Sequence, residues 1–346
     1  MLNKTYVQTN SSSVFSIKLA LIYLLPLVAL FLGLFLGRYQ VSIENVFKIL
    51  LSPIFPLEPG ILDIEKSVVL GQRLPRVLLA MLVGAGLSVS GATFQALFRN
   101  PIVSPDILGV TQGASFGAIL ALLLFGQLAI IPFVALPFGL LSVFMIYAMN
   151  RNRQIASRLY LVLTGIVVSS VFTALISLIK YIADPFNKLP TITYWLMGSF
   201  ASTSYSDLRL VFLPIISGIV FLLLLRWRIN ILSLGDEEAQ SLGINIEKLK
   251  WLLIGAVSVV CSSAVTVSGI IGWVGLVIPH IGRLLVGPDH KILLPVSTIL
   301  GASFMVFIDI IARTATAAEI PIGILTAIIG APFFAYLLMK SGGSWM

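Results

Sequence analysis

Charge is scarce in this chain: Asp, Glu, Lys and Arg make up 10% of its 346 residues, against roughly a quarter in a soluble domain. That shortage excludes an ordinary soluble globular protein. A formal net charge of +8 would suggest nucleic acid as a partner in a soluble chain; in so apolar a sequence, loop-borne Lys and Arg set topology instead, and no nucleic-acid role is expected. One cysteine, Cys261, rules out an intrachain disulfide. Two histidines, His280 and His290, are too few for a convincing metal site, and none is expected. No G-x-x-x-x-G-K-[ST] occurs, so the chain has no P-loop to cradle ATP phosphates. Without a Ser/His/acid or paired-carboxylate arrangement, it is not expected to be an enzyme by itself.

What is present is long apolar sequence. Hydrophobic residues are 58% of the total and mean hydropathy is +1.05. Since a membrane span takes about 20 apolar residues, the chain reads as an all-α polytopic protein of about ten transmembrane helices. The expected spans are 17–37, 74–97, 107–125, 128–149, 158–182, 209–229, 250–267, 271–287, 291–314 and 321–340. Residues 1–16 are Ser/Thr/Asn-rich and read as a disordered cytoplasmic tail. Residues 17–340 form a single transmembrane domain, and 341–346 a second cytoplasmic tail. The stretch 17–37 is too long for a cleaved signal sequence and is taken as the first span. With both termini inside, thirteen of the 22 Lys and Arg fall on the cytoplasmic side, a modest bias for that orientation.

The least ordinary stretch is Ser268 to Pro295. It is apolar, yet Gly269, Gly272, Gly275, Pro279, Gly282 and Gly287 break it at short intervals, and polar residues gather at one end. Backbone freed by Gly and Pro is tolerated at membrane depth only where protein buries it or water reaches it. A short, broken span is expected here. Three further blocks stand out. Gln72-Arg-Leu-Pro-Arg76 enters the second span with Pro75 suited to a helix start. Its arginines are either snorkelling side chains or a basic dock for an acidic surface. Arg99-Asn-Pro-Ile-Val-Ser-Pro-Asp-Ile-Leu-Gly109 carries two prolines that force a loop, with Asp106 placed to cap the next helix. Ser233 to Asn245 holds Asp236, Glu237 and Glu238 at the positive end of a short helix, with Gly243 as its stop; Ala239 and Leu242 would share a small apolar face. That loop is either a solvated connector or a coupling element. In the fifth span, Ser169, Thr173 and Ser177 lie one turn apart and either pack on a neighbour or line a path. Asp309 and Arg313, also one turn apart, read as a structural ion pair.

Taken together, these blocks resemble the FecCD/BtuC family, the permeases of type II ABC importers for iron-siderophores, cobalamin and haem. The broken stretch matches the family's G-x-I-x-F-V-G-L-x-x-P-H-x-x-R-x-x-x-G-x-D-H, with Trp273 where Phe is usual. The R-L-P-R, R-N-P and L-S-L-G blocks and the closing series from Asp309 to Phe333 follow in family order, over about residues 70 to 340. The resemblance implies a BtuC-like homodimer, two ABC ATPase subunits that bind the ATP and Mg, and an external substrate-binding protein. It implies that Arg73, Arg76 and Arg313 dock that binding protein. Gly235, Asp236, Glu237, Glu238, Ala239, Gln240, Leu242 and Gly243 would form the ATPase coupling loop. Ser169, Thr173 and Ser177 would border the translocation path, in the cytoplasmic (inner) membrane of a prokaryote. The cargo implied first is an iron-siderophore, with cobalamin, haem or molybdate as alternatives. An ion-coupled secondary transporter is the rival from another class, set back by the lack of an internal repeat.

Overall fold

The computed structural model describes residues 2–52, 54, 61–151 and 158–341, and only the backbone of 2–16, 338, 340 and 341. All regular structure among the described residues is helical. The helices in chain order are α1 (Leu2–Phe35), α2 (Ile43–Leu51), α3 (Asp63–Lys66), α4 (Leu74–Phe98), α5 (Val110–Phe125), α6 (Ile131–Asn150), α7 (Arg158–Ile182) and α8 (Lys188–Leu196). They continue with α9 (Tyr205–Leu224), α10 (Arg226–Leu234), α11 (Asp236–Ser241), α12 (Ile246–Ser268), α13 (Val274–Val286), α14 (His290–Thr314) and α15 (Ile322–Ser341). The backbone of residues 2–16, expected as a free tail, continues α1. Residues 342–346 lie outside the described residues.

Among the described residues, seven helical segments are long and apolar enough to cross a membrane: Ile17–Phe35, Asp63–Phe98, Leu128–Asn150, Arg158–Ile182, Tyr205–Leu224, Ile246–Ser268 and His290–Thr314. Three shorter apolar helices, Val110–Phe125, Val274–Val286 and Ile322–Leu337, complete the ten expected from sequence. The chain therefore alternates between a termini end and a far end of the bundle. α9 begins earlier than expected because Ser204 and Asp207 form a capping box. α2 and α8 at the far end were not expected as helices.

α4 is the axis, with 83% of its spanning window buried. Its small residues set the packing distance. A Cβ at Gly84 or at Gly91 would collide with the backbone carbonyl of Gly301 or Gly275, so α14 and α13 press directly on α4, as small residues permit in membranes.

Two segments reverse inside the bundle. α13 has 13 residues, about 20 Å at 1.5 Å per residue, too short for a hydrocarbon core of about 30 Å. Its missing part is the non-helical Gly269–Trp273, in which Trp273 holds φ 70°. Pro279 cannot donate to the Gly275 carbonyl, so Gln95 Nε2 of α4 does so instead at 3.4 Å. The second reversal is the loop Arg99–Gly109: a 3-10 turn over Pro105–Leu108 climbs back inside, and Gly109 lies against Ser169, midway along α7. Gly165 makes this possible, since a Cβ there would strike the Ile107 carbonyl. The turn keeps its backbone satisfied through Ile107 N–H to Ser104 O at 3.2 Å and Gly109 N–H to Asp106 O at 2.9 Å. Asp106 does not cap α5 through a backbone N–H; its carboxylate accepts from the Thr111 and Ser104 hydroxyls.

Candidate functional site

At the far end the arginines singled out by sequence come together, but with their charge turned inward. Arg76 Nε lies 2.8 Å from Asp309 Oδ1, and its Nη1 and Nη2 clasp the two oxygens of Glu319 at 3.0 and 2.9 Å. Arg313 Nε sits 3.3 Å from the other Asp309 oxygen, and its Nη2 donates to Gly33 O. Arg73 donates to the carbonyls of Leu34, at 2.7 Å, and Phe35, at 3.1 Å, and to that of Tyr39. The first two carbonyls belong to the last turn of α1, where cations are favoured. Arg73, Arg76 and Arg313 are 4%, 8% and 6% exposed. All three are buried, and every guanidinium is engaged with its own chain. Asp309 is fully buried and shared by two arginines, more than the single i, i+4 pair read from sequence.

The three guanidiniums nevertheless floor a depression of 180 Å³ whose walls include Gly37, Arg38, Tyr39, Gln72 and Glu319. Arg38 is the exposed arginine at its rim; it donates to the carbonyls of Arg313 and Thr316, closing the end of α14. Four arginines thus surround two carboxylates, Asp309 and Glu319. Arg38 carried no motif, and only the return of α1 beside α14 brings it here.

At the termini end, α11 is held by one carboxylate. Asp236 pairs with Arg158 at the start of α7 and with Lys250 of α12, at 3.1 Å from its Nζ. Arg158 also donates from Nε to Leu97 O at the end of α4, at 2.7 Å. A single residue thereby joins α11 to three spanning helices. Partial burial raises the Asp236 carboxyl, but the bonds and charges of Lys250 and Arg158 outweigh it and hold the group below its ordinary value. Glu237, Glu238, Gln240, Leu242 and Gly243 are exposed. Ala239 is buried under them while Leu242 is 59% exposed, so these two do not share a face as the sequence suggested. Gly235 is buried in the turn that precedes α11. Arg99, in the left-handed conformation that ends α4 (φ 50°), donates to Leu232 O at 3.4 Å and ties the R-N-P loop to the same junction.

The third expected group lines a shallow open groove on α7, formed by Ile107, Ile166, Ser169, Ser170, Thr173, Ala174 and Ser177. Thr173 and Ser177 face outward and bond only their own helix, to Ser169 O at 2.8 Å and Thr173 O at 3.0 Å. Within one chain the stripe packs on no neighbouring helix through these hydroxyls. No group of three or more His, Cys, Asp or Glu among the described residues is placed to hold a metal ion.

Relatives share both sequence and architecture. The chain is 42% identical over 326 residues to the molybdate import system permease protein MolB of Haemophilus influenzae, covering 92% of this chain and 95% of that one. It is 44% identical over 277 residues to a probable iron chelatin transport system permease protein of Helicobacter pylori, covering 80% and 83%. It is 39% identical over 284 residues to the cobalamin import system permease protein BtuC of Halobacterium salinarum, covering 82% and 76%. A solved ABC transporter assigned to the metal-chelate type, in an inward-facing conformation, superposes with a TM-score of 0.83 at 40% identity, over 94% of this chain and 99% of that one. Ten apolar helices, an axis helix packed through glycines, and a match to the FecCD transport family over residues 24–340 place this protein in that family of ABC transporter permeases.

Proposed function

We propose that the chain is the permease of an ATP-driven importer and carries a metal chelate, with an iron-siderophore as the leading cargo. The observation that carries the coupling is the Asp236 clamp: a short acidic helix presents Glu237 and Glu238 outward while its first residue grips α7 and α12 and, through Arg158, α4. A push on that surface moves three spanning helices together. The motor is a pair of ABC ATPase subunits binding ATP and Mg; this chain binds no cofactor and catalyses no reaction of its own. The termini end is then cytoplasmic, in agreement with the Lys/Arg bias, and the membrane is the cytoplasmic one of a prokaryote.

A homodimer would enclose the α7 groove between two copies, making Ser169, Thr173 and Ser177 wall residues of the path. That groove carries hydroxyl, methyl and methylene groups and no charged side chain. It offers a bulky chelate weak contacts and no fixed ion to hold it. Relatives of nearly equal identity are named for molybdate, iron chelate and cobalamin, so identity does not select the cargo. A substrate-binding protein would dock over the far-end depression. Arg73, Arg76 and Arg313 would supply positive potential from below, and Arg38 the direct contact.

The test is affinity purification of the tagged chain from native membranes, followed by reconstitution with what co-purifies and uptake assays with ferric chelate, cobalamin and molybdate. An ATPase in near-equal amount and ATP-dependent chelate uptake are expected. Molybdate uptake alone would overturn the cargo. Recovery of the chain by itself, with uptake driven by an ion gradient, would overturn the coupling.

A further inference from the structure

The helix α2 was not foreseen as an element, and its surface divides into three. Val46 and Ile49 are buried against Leu34 of α1 and Val69 of the segment leading into α4. Glu44 and Lys48 pair at 2.9 Å on a second strip. The third strip is apolar and open: Ile43, Phe47 and Leu51 repeat every four residues and are 60%, 43% and 47% exposed. That spacing aligns them on one side of the helix. A soluble face would not keep large apolar groups there in a row.

We infer that α2 lies in the membrane surface, with Ile43, Phe47 and Leu51 immersed at the boundary between headgroups and acyl chains of the far-end leaflet. The occupant is lipid because the strip continues a lipid-facing surface already in place. The Phe47 ring centroid is 5.8 Å from that of Phe31 and 5.5 Å from that of Phe35. Phe31, with the exposed Leu24, Leu27 and Val28, belongs to the outer side of α1, the least buried of the seven long spans. Phe47 therefore sits at the height of the last turn of a membrane span, where an amphipathic helix lies in the interface plane. The Glu44–Lys48 pair gives the polar edge no net charge, so attachment does not need anionic lipid.

This placement has a structural consequence. The buried side of α2 grips Val69, and Asn45 Nδ2 donates to Glu65 Oε2 at 3.0 Å. Both partners belong to the segment that delivers Arg73 to the α1 carbonyls. Lipid on one side of α2 and this segment on the other would set the height of the depression's floor above the bilayer.

The test uses nitroxide labels at Phe47→Cys, Ile43→Cys and Glu44→Cys in the full chain, in vesicles of phosphatidylcholine with and without phosphatidylglycerol. The single native cysteine, Cys261, is buried, and the unsubstituted chain serves as the labelling blank. Power saturation with oxygen and with a water-soluble nickel chelate reads the surroundings of each label. At 43 and 47, oxygen should relax the label several-fold more than nickel, at 44 the order should reverse, and the result should not depend on phosphatidylglycerol. Nickel access equal to that at 44 would show a helix standing in water. Shielding from both reagents would show protein, a second copy or a partner, covering the strip. Either result overturns the assignment, and agreement between 43 and 47 guards against one misfolded variant.

Discussion

Arg76 reaches Asp309 with one nitrogen and Glu319 with two, across 233 and 243 residues of sequence. The start of α4 is thereby fixed to the end of α14 and to the entry of α15. Asp309 also faces Arg313, so a fully buried carboxyl lies between two guanidiniums. Its removal would leave the buried Arg313 without a carboxylate and Arg76 with Glu319 alone, and a buried pair that loses one partner costs about 3–5 kcal/mol. Asp309→Ala should therefore lower the thermal unfolding midpoint in detergent sharply. Glu319→Gln should cost less, because its side chain is 26% exposed and the amide oxygen still accepts from Arg76. Equal losses would show that burial does not set the hierarchy.

The ten apolar runs were legible because lipid demands internally satisfied backbone and long apolar stretches, and the broken span announced itself through its glycines and Pro279. The three arginines were located correctly at one end, but their burial was not readable. It depends on Leu34 and Phe35 ending α1 beside Arg73 with Tyr39 just beyond, and on Glu319 folding back over Arg76, contacts that no local pattern encodes. Asp236 was grouped with Glu237 and Glu238 as one acidic run. Which of three adjacent acids turns inward is decided by Arg158 and Lys250, 78 and 14 residues away. The re-entry of the R-N-P loop was hidden for a similar reason: two prolines say that a helix stops, not which way the chain goes next.

The contact of α4 with α13 at Gly91 yields a sharp prediction. Gly91→Ala places a methyl group onto the Gly275 carbonyl, a backbone atom that Gln95 also binds. Neither partner is the free end of a flexible side chain. Overpacking of this kind costs about 1–3 kcal/mol. Gly255→Ala, where an added Cβ meets nothing within 4 Å, should be neutral. Comparing the two unfolding midpoints checks the claim, and a harmless Gly91→Ala would mean that α13 slides on α4 with ease.

The Asp236 clamp predicts a pH dependence. Its carboxyl is held below the ordinary 3.8 by Lys250 and Arg158 against partial burial. A folded value below the unfolded one means that the unfolded chain binds the proton more readily. The stabilisation is therefore present above about pH 4 and is lost as pH falls through the depressed folded value. Asp236→Asn should lower stability at neutral pH and flatten the acid limb of the stability curve. An acid limb identical to that of the native chain would remove Asp236 as its source.

Glu237 and Glu238 should behave differently from their neighbour. Both are exposed, so the double change Glu237→Lys, Glu238→Lys leaves no buried charge and should shift the unfolding midpoint by little, as surface substitutions do. Reversing two charges on the proposed motor-facing surface should cut recovery of the ATPase in pull-downs at least tenfold and abolish ATP-driven uptake. Undiminished capture of the ATPase would move the contact elsewhere, with the exposed Ile102 of the adjoining loop next in line.

The α7 stripe separates path from packing by the response to size. Thr173 and Ser177 are exposed within the chain, and their hydroxyls already bond carbonyls one turn back. Replacing either with Ala loses one hydrogen bond within a single helix, which should barely affect stability or uptake. Thr173→Trp and Ser177→Leu instead fill the groove beside Ile107 and Ala174. If that groove is a wall of the translocation path, each bulky variant should reduce cargo uptake at least tenfold while the chain keeps its unfolding midpoint and its ATPase partner. Leu178→Trp, an exposed change on α7 outside the groove, should leave transport intact. Were the stripe a packing surface between two copies, the bulky variants would first break the dimer, visible as a halved mass in native gels or light scattering. Mass and uptake measured on the same preparation therefore decide between a lined path and a seam.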